Sequence, residues 1–390
     1  MSGAVSVAAP GSESGDGSGE AFVARQRELA RLGAFLDRAI AGRGLVSFVT
    51  GGAGTGKTAL VGEFARQAQL THDSLVAVTG NCNARIGIGD PYLPFREILE
   101  SLLGDVDTSL EQGAVSEENV RRLRKLAVRA SQVLIEVAPE VAGLFLPGAK
   151  IAALAGKAVA EKAGWTEKLQ ELVEKGRARP EQPQSLAQSH IFEQYTELLQ
   201  KLAAEKPLML VVDDLQWADA SSLALLFHLG RRINDSRILV LGSYRPEDVA
   251  LGRRGKRHPL ESVLNEFKRH YGDVWVDLDR TGEAEGRHFV DALLDSEPNV
   301  LSRGFREALF QQTAGHPLFT VELLRAMQAR GDLVQDGRGR WTEGQTLDWH
   351  ALPARIEGVI EERIDRLDDE SREVVTVASV EGEAFTAEVV

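Results

Sequence analysis

Residues 45–60, LVSFVTGGAGTGKTAL, carry three kinds of local structure in a row. Leu45, Val46, Phe48 and Val49 form a short apolar run of strand length. Gly51-Gly52-Ala53-Gly54-Thr55-Gly56 is a turn with almost no side chains, and Lys57-Thr58-Ala59-Leu60 opens a helix. The spacing is G-x-x-x-x-G-K-T in its required context, strand before and helix after. Each residue type has a physical use. Glycine permits positive φ and lets backbone N–H groups approach a phosphate closely. The helix N-terminus adds free donors and partial positive charge. Lys57 would set an ammonium on β- and γ-phosphates, and the Thr58 hydroxyl would take a place on Mg²⁺. Gly51, Gly52, Ala53, Gly54, Thr55, Gly56, Lys57, Thr58 and Ala59 are therefore candidate phosphate-binding residues. The alternative is a glycine-rich loop that matches by chance.

The chain has 390 residues, which suggests two to three domains at about 100–200 residues each. A net charge of −13 argues against a broad nucleic-acid footprint on this segment. A single cysteine, Cys82, excludes an internal disulfide and fits a reducing cytoplasm. Cys82 reads as a small core residue rather than a nucleophile. Residues 1–20 are rich in Gly, Ser and Ala, lack the apolar core of a secretory signal, and read as a disordered leader. The most apolar later stretch, 141–160, is interrupted by Pro147, Lys150 and Lys157, so no membrane span is expected.

Residues 21–41 carry Leu29, Leu32, Phe35, Leu36 and Ile40 at helical spacing, closed by Gly42 and Gly44. After the loop, a helix over 57–69 and a strand over 75–79 follow. A loop over 80–94 leads to a helix on Phe95, Ile98, Leu99 and Leu102. Residues 104–181 read as a helical insertion, with Val120, Leu123, Leu126, Val133 and Leu134 as one stripe. Its scattered lysines fit solvated helix faces, or a partner-docking module. Leu208-Met209-Leu210-Val211-Val212 then runs apolar into Asp213-Asp214, the form of a parallel strand covered on both faces. Asp219 starts a helix with Leu223, Leu226, Phe227 and Ile233 as its apolar stripe. Residues 238–243 are the next buried strand, ending in Tyr244-Arg245-Pro246, and Val274, Val276 and Leu278 suggest another. From Thr281 the pattern is helical, broken at Gly315-His316-Pro317. Residues 333–341 read as a hairpin, and Ile356, Ile360, Ile364 and Leu367 as one more helix.

A phosphate loop alone only binds. Asp213, at the end of the apolar strand, stands where an acid for Mg²⁺ is needed. Asp214, next along, would face the other side and orient or polarise water. Two solvated acids are the alternative. Arg245 ends the following strand and would read a γ-phosphate, or else pair at the surface with Glu247 or Asp248. His316 and Pro317 lie between helices, either to close on a nucleotide or simply to break a helix. Arg253, Arg254, Lys256, Arg257 and His258 make a basic loop, solvated or offered to a neighbour's nucleotide.

Several of these segments together resemble STAND-type signalling ATPases, relatives of the AAA+ proteins. Phe22-Val23-Ala24-Arg25-Gln26-Arg27-Glu28-Leu29 resembles their lead-in, LVVDDLQWAD at 210–219 their acidic motif, and LVLGSYRPED at 239–248 their sensor strand. Gly315-His316-Pro317-Leu318-Phe319 resembles their G-x-P element, and residues 352–385 resemble the start of their winged helix. Ala24 stands where the family has glycine, and Asp214 where AAA+ relatives have glutamate. The resemblance implies that the lead-in, at Val23 and Arg25, contacts adenine, that His316 and Pro317 close on the nucleotide, and that ATP exchange switches a multidomain protein.

The expected fold class is α/β: a P-loop parallel sheet over 21–280 with the insertion 104–181, a helical lid over 281–350, and a truncated winged-helix start over 351–390. The expected function is that of a slow, cytoplasmic ATPase switch using ATP or ADP and Mg²⁺. Self-association or a protein partner would act through the ATPase core, with no membrane contact and no nucleic acid bound by this segment. A nucleotide-dependent assembly module with little hydrolysis, or an AAA+ nucleic-acid motor, are the alternatives.

Overall fold

The structure is a computed structural model that describes residues 22–82, 91–105, 117–146, 184–251, 257–280 and 282–345, with 347 and 349. The leader, parts of the insertion, residues 252–256 of the basic loop and the expected winged-helix start lie outside the described residues. The chain divides into two compact units. One is Leu29–Val49 with Phe64–Val276; the other takes the described residues of Met1–Glu28, Thr50–Glu63 and Asp277–Val390.

The first unit is built on a five-stranded sheet. In chain order its strands are β1 (Leu45–Thr50), β2 (Val76–Asn81), β3 (Leu208–Asp213), β4 (Ile238–Tyr244) and β5 (Trp275–Asp277). Their spatial order is β2-β3-β4-β1-β5. β2 and β4 both pair in parallel with β3. Every residue of β1, β3 and β4 is buried, as continuous apolar strands covered on both faces must be. The register sets Asn81 beside Asp213 and Val212 beside Gly242, so one edge of the sheet collects the acids. This is the expected α/β P-loop fold.

The helices are α1 (Gln26–Ile40), α2 (Lys57–Thr71), α3 (Leu93–Leu102), α4 (Glu117–Val137), α5 (Pro139–Phe145), α6 (Gln184–Glu205), α7 (Ala220–Gly230), α8 (Pro246–Leu251) and α9 (Pro259–Tyr271). The stripe expected on α4 is buried throughout. Tyr195 of α6 is fully buried, and its hydroxyl donates to the Phe95 carbonyl at 2.8 Å. Gly80 is needed where it stands, because a Cβ there would meet the Pro94 carbonyl oxygen at 2.0 Å. That contact seats α3 on β2. One expectation is corrected: Ile233 is not on the helix begun by Asp219. α7 ends at Gly230, and Ile233 lies in the following turn, where its carbonyl accepts from Ser236 N–H at 2.9 Å. It is nonetheless fully buried, so the apolar spacing reports burial rather than helix.

The second unit holds α10 (Glu283–Asp295), α11 (Arg303–Thr313), α12 (Pro317–Arg330) and the hairpin β6 (Leu333–Gln335) and β7 (Trp341–Glu343). Phe289, Leu293, Phe305, Leu309, Leu323 and Met327 make its core. Burying each such side chain contributes about 1.5–3 kcal/mol. Ala24 of the lead-in joins that core, with Val23 packed against it.

Candidate functional site

Within the second unit the phosphate loop connects to the lead-in and the lid. Gly54 and Gly56 sit at φ 73° and 90°, conformations that explain their residue type. Lys57 is only 7% exposed, and its Nζ donates to the carbonyls of Gly51 and Gly52, both at 2.8 Å. Thr55 Oγ1 donates to the Gly52 carbonyl at 3.0 Å. Thr58 and Ala59 lie in the first turn of α2.

The helical segment expected as the lid meets this loop through α12. His316 is its N-cap and Pro317 its first residue. Phe319 N–H donates to His316 Nδ1 at 3.3 Å, so the proton of the neutral ring is on Nε2, which faces the Ala53 carbonyl at 3.2 Å. Leu318 N–H donates to the Gly54 carbonyl at 3.2 Å. The Asp279 carboxylate accepts from Gly52 N–H at 3.0 and 3.1 Å. Burial pulls the His316 pKa below its ordinary value; the Ala53 bond and Asp279 oppose that, and Arg25 adds to it. Gly315, at φ 71°, is required by packing among these helices themselves, because a Cβ there would lie 2.5 Å from the Gly286 backbone of α10.

The lead-in holds the loop from another side. Arg25 donates to the Thr55 carbonyl at 3.4 Å and pairs with Glu28 at 3.2 Å. Ala24 and Arg25 are both left-handed, at φ 63° and 68°. Alanine therefore stands in a glycine's conformation, a costly arrangement that the lid core around Ala24 holds in place.

Within the first unit the acids are gathered at the ends of β3 and β4. Asp213 and Asp214 are 7% and 8% exposed. Ser243 Oγ donates to Asp213 Oδ1, and Asp214 N–H donates to Ser243 Oγ at 2.9 Å. The facing expected for Asp214 from strand alternation does not apply. β3 ends at Asp213, and Asp214 turns left-handed at φ 56° to start the single 3₁₀ turn Leu215–Trp217. Its carboxylate accepts from Gln216 Nε2 at 2.8 Å. Arg245 follows β4 directly; its N–H donates to Gln216 Oε1 at 3.1 Å. Among the described residues, Arg245 Nε is buried without a hydrogen-bond partner, as is Asp248 Oδ2.

Cys82 is buried, and its N–H donates to the Asp213 carbonyl at 3.0 Å. Burial pushes the thiol pKa up first, and Asp213, Asp214, Asp219 and Glu97 add to it. The sulfur stays a neutral thiol, which agrees with a core role. Asp219 caps α7, accepting from Ser221 and Ser222 N–H at 2.8 and 3.0 Å.

The structure thus gathers Arg25, the loop, His316 and Pro317 in one unit, and Asp213, Asp214 and Arg245 in the other. Sequence reasoning missed Ser243, Gln216 and Asp279. The available signal was a serine closing the apolar run ILVLGSY and a buried glutamine between Leu215 and Trp217. No group of three or more His, Cys, Asp or Glu that could hold a metal occurs among the described residues. Mg²⁺ does not require one, since it takes one or two protein oxygens and fills its octahedron with phosphate and water. The glycine cradle and the buried ammonium of one unit suit phosphate oxygens, and the buried, hydrogen-bonded Asp213 of the other has the chemistry of a Mg²⁺ ligand.

The family described as AAA ATPase domain matches residues 21–241. No curated protein matches the chain. Among solved structures, the Signal Transduction ATPase with Numerous Domains (STAND) protein with a tetratricopeptide repeat sensor from Pyrococcus horikoshii aligns at 17% identity and a TM-score of 0.40. That alignment covers 95% of this chain and 36% of that one, so the chain spans about a third of its length. Drosophila ORC bound to AT-rich DNA and Cdc6 aligns at 13% identity and a TM-score of 0.27, over 87% of this chain and 91% of that one. Among the described residues, no helix is long and apolar enough to cross a membrane.

Proposed function

The chain belongs to the AAA ATPase domain family, and we propose that it is the ATP-binding, slowly hydrolysing core of a larger cytoplasmic signalling switch. Residues 21–280 are its ATPase domain with the insertion 104–181, residues 281–350 its lid, and residues 351–390 the start of a winged helix. The observation that carries the proposal is the pair of bonds from lid to phosphate loop, Leu318 to Gly54 and His316 to Ala53, beside the Asp279–Gly52 bond just ahead of the lid. A change in the loop is thereby felt by the lid, which is what a nucleotide switch requires.

The residues divide the work as follows. Lys57 and the N–H groups of residues 51–59 hold phosphate oxygens, that of Gly52 once it leaves Asp279. Val23 and Arg25 border the adenine, and His316 and Pro317 close over the nucleotide. Thr58 and Asp213 hold the magnesium ion, which when bound offsets charge on the β- and γ-oxygens. Asp214 orients the attacking water and accepts its proton, and Arg245 reads the γ-phosphate. The products are ADP and phosphate. Turnover is slow, at roughly 10⁻⁴ to 10⁻² per second, the range of P-loop enzymes without an arginine finger supplied in trans.

Phosphate release by wild type, Lys57→Ala and Asp214→Ala tests this. Slow release by wild type alone supports the ATPase. Wild type that binds nucleotide but releases no more phosphate than Lys57→Ala supports the second reading, an assembly module with little hydrolysis. The shorter acid at Asp214, where AAA+ relatives have glutamate, favours that second reading. The net charge of −13 predicts no stimulation by DNA or RNA, which separates both from a nucleic-acid motor.

A further inference from the structure

We propose that Gln216 is a positioning residue that ties the proposed water-orienting acid to the proposed γ-phosphate sensor; this rests on the ATPase reading above. One amide makes both links. Its Nε2 donates to Asp214 Oδ1 at 2.8 Å, and its Oε1 accepts from Arg245 N–H at 3.1 Å. The side chain is 1% exposed, so neither bond exchanges with water. Its own backbone is pinned as well. His258 Nδ1 accepts from Leu260 N–H at 3.2 Å, which leaves the ring proton on Nε2 to donate to the Gln216 carbonyl at 3.0 Å.

The chemistry explains why the residue is an amide. Asp214 presents an acceptor and Arg245 N–H presents a donor, and a buried side chain serving both needs one donor and one acceptor on a rigid plane. A leucine would fill the space but leave both groups unsatisfied, at a cost for each. A carboxylate would serve Arg245 and repel Asp214. Asp214 also sits in a left-handed conformation outside the strand, so the sheet does not fix its carboxylate. Gln216 supplies that constraint. The link to Arg245 is through its backbone N–H, so a movement of the main chain at the end of β4 reaches Asp214 through the same amide.

The test uses the full chain with ATP and Mg²⁺, comparing wild type, Gln216→Leu and Gln216→Glu, with Lys57→Ala as the binding control. Gln216→Leu is expected to keep nucleotide affinity within about threefold and to lower the single-turnover hydrolysis rate by roughly 10- to 100-fold, the scale of an ångström-sized misplacement. Gln216→Glu supplies a rescue. The introduced carboxyl faces Asp214 and the Arg245 N–H, with His258 on its backbone carbonyl and Asp213 next in sequence to Asp214, and can donate to Asp214 only when protonated. Its rate should therefore rise towards wild type as pH falls, while the wild-type rate does not. Arg245 amide exchange gives a readout without catalysis: it should accelerate in Gln216→Leu and stay protected in Gln216→Glu. A purely structural glutamine predicts instead that both variants lose stability, with binding and rate falling together at every pH; that outcome overturns the proposal. So does Gln216→Leu hydrolysing at the wild-type rate. Wild type that takes up no nucleotide, or is indistinguishable from Lys57→Ala, defeats the ATPase reading itself.

Discussion

Substituting alanine at Gly54 and at Gly56 separates backbone strain from lid docking. Both glycines are left-handed, at φ 73° and 90°, so each alanine costs roughly 1–2 kcal/mol in conformation alone. Their surroundings differ. A Cβ at position 56 meets nothing within 4 Å. A Cβ at position 54 lies 2.6 Å from Leu318 Cβ and 3.1 Å from His316 Cε1, where ordinary contact begins at 3.4 Å. The start of α12 must retreat, and the Leu318–Gly54 and His316–Ala53 bonds, both 3.2 Å, are lost with it. Each contributes about 0.5–1.5 kcal/mol. Urea unfolding without nucleotide should therefore show Gly56→Ala about 1–2 kcal/mol less stable than wild type and Gly54→Ala about 2–5 kcal/mol less stable. Hydrogen exchange at the Leu318 amide should accelerate in Gly54→Ala only, by about tenfold per 1.4 kcal/mol of docking lost. Equal costs at the two positions with unchanged Leu318 protection would refute the docking.

Other tests follow from single groups. His316 has its pKa lowered by burial, so the folded lid binds fewer protons than the unfolded chain once pH drops below about 6.5. Its stabilisation is complete above that value and is lost as pH falls through the folded pKa; Phe319 amide protection, corrected for intrinsic exchange, should fall in that direction, and His316→Gln should abolish the dependence. Ser243→Ala removes the hydroxyl that bridges Asp213 Oδ1 and Asp214 N–H, which keep only their mutual 3.2 Å bond, and should cost about 0.5–1.5 kcal/mol, read by urea unfolding, with weaker Mg²⁺ dependence of nucleotide binding. Hydrogen bonds from Arg287 hold Glu307 down at about 2, so carbon-detected titration of Arg287→Ala should return that carboxyl towards its ordinary value near 4.5. An unshifted Glu307 in the variant would remove the pair from the lid's account.

What could be read in advance, and what could not, divides by range. The β1–loop–α2 unit is local: apolar run, glycines and lysine are contiguous, so residues 45–60 disclose it. β3 was legible for a similar reason, since a strand buried on both faces writes itself as Leu208–Val212 without alternation. Ser243, Gln216 and Asp279 were not, because each acts through a partner on another segment. Ser243 lies 30 positions from Asp213, and Asp279 lies 227 from Gly52. Only the β3–β4 register explains why a serine belongs in a buried strand. Strand alternation gives no direction for the Asp214 side chain, because the period of two ends with β3, one residue earlier.

The bonds to the phosphate loop also fix the sign of the coupling between lid and nucleotide. His316, Leu318 and Arg25 bind three consecutive carbonyls, those of Ala53, Gly54 and Thr55. A trans peptide is planar, so its carbonyl and the next residue's N–H point in opposite directions. Holding these three carbonyls therefore aims the N–H groups of Gly54, Thr55 and Gly56 away from the lid and lead-in, together and in advance of any ligand. An anion entering that cradle does not compete with the lid for the loop. It uses the opposite pole of the same peptide units and meets donors whose ordering has already been accomplished. Lid docking and phosphate binding should then strengthen each other by the same factor in either direction, as linkage demands. A lid loosened at His316 should weaken nucleotide binding although no atom of its own touches the phosphate.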